Sequence, residues 1–117
     1  MATTDVRRAR LPHAVPMTTL LVTLVLVPDR SDEVLARLRS EVAPWLRRLP
    51  GFVTSRWLLS PEHDRCTLVV ELAGTEAVPV IEAALRPGTR DRARSWWCER
   101  MEDVEDLGLA VRPSVTP

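Results

Sequence analysis

The sequence predicts an α+β domain of the ferredoxin-like type: a βαββαβ order, a four-stranded antiparallel sheet, and helices packed on one of its faces. Three stretches carry that reading. In Leu49 to Gly74, LPGFVTSRWLLSPEHDRCTLVVELAG, two runs rich in Val, Leu, Thr and Trp flank the turn-forming stretch Ser60 to Asp64, the mark of a β-hairpin. Ahead of it, Val34, Leu35, Leu38, Val42, Trp45, Leu46 and Leu49 recur at helical spacing. Earlier still, Thr18 to Val27, TTLLVTLVLV, is apolar on both parities except at Thr23. A strand of that kind is covered on both sides, and one helical layer covers only one. The expected cover for the other side is a second copy of the sheet, which closes a dimeric α/β barrel.

The 117 residues suffice for one domain with its own core. With 16 basic and 16 acidic side chains the formal net charge is zero, so the chain offers no overall field to attract nucleic acid or an anionic membrane. Lys, Asn, Gln and Tyr are absent and every basic residue besides the two His is Arg, the bias of a GC-rich genome. The Arg content is therefore no mark of phosphate recognition. Cys66 and Cys98 lack metal-ligand spacing, are too few for a disulfide framework, and read as reduced core thiols. Met17 to Val27 falls short of the ~20 residues of a membrane-spanning helix. Arg7, Arg8 and Arg10 precede that run, but no small-residue cleavage site follows it, so a cytoplasmic location is expected.

Taken in order, Met1 to Pro16 mixes Arg, Thr and Pro without periodicity and reads as a disordered arm, with His13 a solvated bystander. The folded domain is expected over residues 17–112 and a tail over 113–117. After the first strand, Ser31 is placed to cap a helix whose first turn holds Asp32 and Glu33, the favourable charge sign at that end. Pro44 removes a backbone hydrogen bond and clashes with the preceding turn, so it is expected to kink this helix or restart a short second one. Leu49-Pro50-Gly51 closes it and launches the hairpin. Past Gly74, Thr75 or Val78 is expected to cap a helix carrying Val78, Ile81 and Leu85, which Pro87-Gly88 stops. A further helical piece is expected from Thr89 to about Asp103, with Ala93, Trp97, Met101 and Val104 on one face. Asp106 to Arg112 reads as the last strand.

The familiar catalytic signatures are missing: no Gly-rich phosphate loop, no Gly-x-Ser-x-Gly elbow, no HExxH and no CxxC. Alternation along the hairpin groups Trp57 with Leu68 and Val70 on a dry face, and Arg56, Thr54, Thr67 and Glu71 on the other. An isolated buried charge is too costly, so Arg56 and Glu71 form a cross-strand salt bridge, line a pocket, or belong to a subunit interface. Four Trp against a single Phe is unusual for so small a core. Trp96 and Trp97, with Arg92, Arg94 and Arg100 close by, offer indole and guanidinium surface to a flat, electron-rich, partly anionic ring system. The plainer alternative makes Trp97 core filler and Trp96 a dimer contact. His63, exposed in the hairpin turn, is a general-base candidate at a pocket rim.

The run PGFVTSRWLLSPEHDRCTLVVELAGTEAV, preceded by an amphipathic helix and followed by a broken one, resembles the antibiotic biosynthesis monooxygenase family of dimeric α/β barrels. Within that family it is similar to the small anthrone-type oxygenases and ring cyclases of aromatic polyketide pathways. The resemblance spans about residues 18 to 112 and is closest at Pro50-Gly51-Phe52 and Thr75-Glu76-Ala77. It implies a homodimeric tailoring enzyme for a small aromatic or polycyclic substrate, without metal, flavin or other cofactor, in which the substrate's own carbanion reduces dioxygen. Those oxygenases implicate an Asn and a Trp on the third strand and an Arg on the last helical segment. The matching strand positions carry Leu68 and Leu72, and the Arg falls on Arg94, or on Arg92 with a gap. The catalytic candidates on this reading are Arg94, Glu71 and Arg56. Trp57, Trp97, Trp96, Arg100 and His63 are the substrate-binding candidates. Ring closure or dehydration on the same fold is one alternative, and non-catalytic binding of a pathway intermediate or partner enzyme is another.

Overall fold

The computed structural model describes residues 16–90 and 94–109. Strands β1 (Met17–Leu26), β2 (Phe52–Leu59), β3 (Arg65–Ala73) and β4 (Trp96–Val104) form one antiparallel sheet in the order β2-β3-β1-β4. Helices α1 (Ser31–Arg37), α2 (Ala43–Arg47) and α3 (Val78–Leu85) complete an α+β architecture compatible with a ferredoxin-like fold. The expected N-terminal arm through residue 15, with His13, lies outside the described residues. So do Arg92 and residues 110–117.

Alternation on β1 sorts its side chains into two layers. Leu20, Val22, Leu24 and Leu26 are buried against the helices, together with Cys66, Leu68, Val70 and Leu72 of β3 and Val34, Leu38, Leu46, Ile81 and Leu85 of the helical layer. Thr19, Leu21 and Thr23 point to the opposite face and are only half-buried. The hairpin register matches the sequence expectation: Trp57 pairs with Leu68 on the helix face, while Thr54, Arg56, Thr67 and Glu71 share the open one. Phe52 is the exception, because a bulge between Phe52 and Thr54 turns its ring back to the core opposite Leu72.

Ser31 does not cap α1. The chain first makes a 3-10 turn over Pro28–Arg30, and Ser31 enters the helix buried, with no side-chain cap. Pro44 acts as expected, through a specific device. The Ala43 N–H donates to the Leu38 carbonyl five residues back, closing a π turn over Leu38–Val42. Pro44 then sits in the first turn of α2, where its missing N–H is not needed.

The C-terminal third departs from the sequence expectation. The stretch expected as helix from Thr89 to Asp103 contains β4, and residues 106–109, expected as strand, have no regular structure. Trp96, Cys98 and Met101 therefore face the helices, opposite Leu26, Leu24 and Val22, whereas Trp97 and Arg100 lie on the open face. A bulge at Glu99 is the physical reason for the misreading. It breaks the two-residue alternation, so that Trp97 and Met101, expected on one helical face, lie on opposite faces of the strand. Among the described residues no helix is long and apolar enough to cross a membrane.

Candidate functional site

A cleft of about 470 Å³ opens where α1 and α2 pass the end of α3 and the start of β4. Trp45 of α2 and Trp96 of β4 supply ring surface, and both pack partly on the core. Arg30, Arg37 and Arg94 supply cations. The Arg94 guanidinium lies over the Trp96 ring, 5.3 Å from its centroid, so the indole presents a face already polarised by a cation.

Two carboxylates share the cleft, each beside an arginine of the same helical run. Arg30 makes a forked pair with Glu33 at 2.8 and 2.9 Å, and Arg37 Nε stands 4.0 Å from Glu41 Oε2. The forked hydrogen bond holds the Glu33 carboxyl below the usual carboxylate range and raises Arg30, with their mutual charge attraction adding to both. Both side chains are exposed, and ion pairs in water hold weakly. An anionic ligand can therefore take over Arg30 or Arg37 from its partner. The site is suited to recognising a flat anion rather than to donating a proton.

Arg56 and Glu71 lie elsewhere, on the open sheet face. Arg56 stands opposite Val69, and Glu71 between Thr54 and Thr19. Among the described residues no ion pair joins them. Instead both line a cavity of about 240 Å³ together with Thr19, Val104 and Asp106. Farther along this face the Arg90 guanidinium covers the Trp97 ring at 4.8 Å, and Arg100 pairs with Glu102 at 3.1 Å. Trp57 is on the helix face, its indole N–H donating to Ser55 Oγ at 3.1 Å. His63 is exposed in the hairpin turn with φ 61°, held there by its N–H to the Ser60 carbonyl.

The structure thus unites Arg94 with Trp96 in one site and Arg56 with Glu71 in another. It separates Trp57, Trp97, Arg100 and His63 from the cleft. Cys66 and Cys98 are both buried and free, and burial pushes both thiols up, away from thiolate chemistry. Sequence reasoning missed Arg30, Arg37 and Trp45 as cleft residues. The signal was present: Arg30, Val34, Arg37, Glu41 and Trp45 succeed one another at steps of three and four, which is one side of a helix. Among the described residues no group of three His, Cys, Asp or Glu is placed to hold a metal ion. No family model, curated protein or solved structure matches the chain.

Proposed function

We propose that the cleft takes a flat aromatic, partly anionic molecule of polyketide type, and that the chain tailors it without a cofactor by stabilising its enolate or phenolate. The observation that carries this reading is the gathering of two indoles, Trp45 and Trp96, and three guanidinium groups, Arg30, Arg37 and Arg94, around one cleft of about 470 Å³. The rings pack against the substrate while Arg30 and Arg37, drawn from Glu33 and Glu41, turn their guanidinium groups to its deprotonated form in charge-assisted contacts. For an anthrone, the resulting carbanion reduces dioxygen: the methylene carbon becomes a carbonyl, one oxygen atom stays on it, and the other leaves as water with the two methylene hydrogens. The sequence resemblance to small anthrone-type oxygenases supports the same substrate class.

The reading includes a homodimer built open face to open face. Leu21, Val69 and Trp97 on that face are apolar and still partly exposed in the single chain, which suits cover by a second copy. A second reading, binding without catalysis, is favoured by one observation: Glu33 and Glu41, the carboxylates of the cleft, are each engaged by an arginine.

Oxygen uptake by metal-stripped protein supplied with a simple anthrone tests the proposal. Uptake should exceed the spontaneous rate and fall on the order of tenfold in Trp96→Leu, the loss expected for a stacked aromatic contact of this kind. Saturable binding with no excess uptake and no change of product would establish the second reading. Absence of both uptake and binding overturns the assignment of the cleft.

A further inference from the structure

On the other flank of the helical run, between it and the hairpin, lies a separate cavity of about 280 Å³. Leu35, Leu38 and Ala43 wall it from the helix side, and Trp57 and Leu59 of β2 from the sheet side. Cys66 completes the lining as a buried thiol that burial keeps protonated. Because the Trp57 N–H is spent on Ser55, the indole contributes ring rather than donor to this space. The single charged residue of the lining is Arg39.

Arg39 differs from the other arginines of this helix. Arg30 and Arg37 have Glu33 and Glu41 three and four positions on, whereas the neighbours of Arg39 at those spacings are Leu35, Ala36, Val42 and Ala43. Among the described residues Arg39 has no ion-pair partner, and no carboxylate lines the cavity. The π turn over Leu38–Val42 contains Arg39 and widens the helix at the cavity wall, a feature that recurs at functional sites.

We infer that this cavity is a second binding site, for a small amphiphilic anion: an aryl carboxylate whose one or two rings enter beside Trp57 while its carboxylate meets Arg39 at the mouth. Size and charge both select that class. A dry cavity of ~150 Å³ accepts a benzene ring, so about 280 Å³ is room for one or two rings. A planar guanidinium without a competing carboxylate is a bidentate carboxylate receptor. The inference does not depend on what occupies the larger cleft.

A titration of the full chain with naphthoate, and with the neutral isostere naphthalene methanol, followed by nuclear magnetic resonance of the four indole N–H signals, tests it. Trp57→Phe assigns the Trp57 signal. Naphthoate should move that signal saturably and bind about tenfold less tightly to Arg39→Gln, the range of one charge-assisted hydrogen-bonded contact. Naphthalene methanol should bind equally to both proteins. Ala43→Leu, which fills the space, should abolish both. Perturbation confined to the Trp45 or Trp96 signals, unchanged naphthoate affinity in Arg39→Gln, or retained binding in Ala43→Leu would overturn the assignment.

Discussion

Replacing Gly51 with Ala should cost far more stability than its position at the edge of a loop suggests. Gly51 holds φ +80° where the chain enters β2, and its carbonyl accepts the Ala73 N–H at 2.6 Å. An alanine there pays roughly 1–2 kcal/mol for the left-handed backbone. Its Cβ would also clash with the Ala73 carbonyl oxygen, well inside van der Waals contact. Relief requires the strand end to move and the Gly51–Ala73 bond to break, about 1 kcal/mol more. The sum is about 2–3 kcal/mol. Gly74 is the control, since it has φ +89° but nothing within 4 Å of an added Cβ. Gly74→Ala should lose only the backbone cost. In urea, with a slope of about 1.5 kcal/mol/M, the midpoint should fall by about 1 M for Gly74→Ala and by about 0.7 M more for Gly51→Ala, read by tryptophan fluorescence. Equal losses would refute the close packing of Gly51 on β3 and with it the hairpin register that sets Trp57 against Leu68.

Leu24→Ala should destabilise by about 3 kcal/mol in the same assay, because Leu24 is 1 % exposed and wedged between Cys66 and Cys98 on the helix face. Burial keeps those two thiols protonated in the fold while the unfolded chain ionises them near pH ~8.5. The native state then binds more protons, so stability is full below that pH and falls as pH rises through the raised values. A Cys66→Ala/Cys98→Ala double variant should show a flatter alkaline decline in urea midpoints. If the open faces pair, sedimentation at micromolar concentration should give twice the chain mass, and Leu21→Glu should give the monomer with an unchanged circular dichroism spectrum.

The first three-quarters of the fold was legible because its signals are local. The double apolar run of β1, the Ser60 to Asp64 turn and the interruption at Pro44 each act within a few residues. β4 was not legible, because Glu99 is an inserted residue that only the pairing with β1 reveals. Misreading it as helix put Trp97 on the apolar face with Met101, whereas Trp97 lies on the open sheet face and Trp96 packs on the core. The candidate site was legible in its chemistry and not in its geometry. Arg94 and Trp96 stand out by type and proximity. Their meeting with Trp45 and Arg37 depends on the tertiary packing that brings the helical run to the start of β4, which spacing alone does not encode.

The most direct test of the account is a calorimetric titration of the protein with a simple anthrone under anaerobic conditions, so that binding is read apart from turnover. The cleft assignment predicts saturable binding of one molecule per chain, weakened on the order of tenfold by Trp96→Leu and unaffected by Glu71→Gln on the open face. Binding that is indifferent to Trp96→Leu, or that is lost in Glu71→Gln, would move the site to the open face and contradict the cleft as its seat.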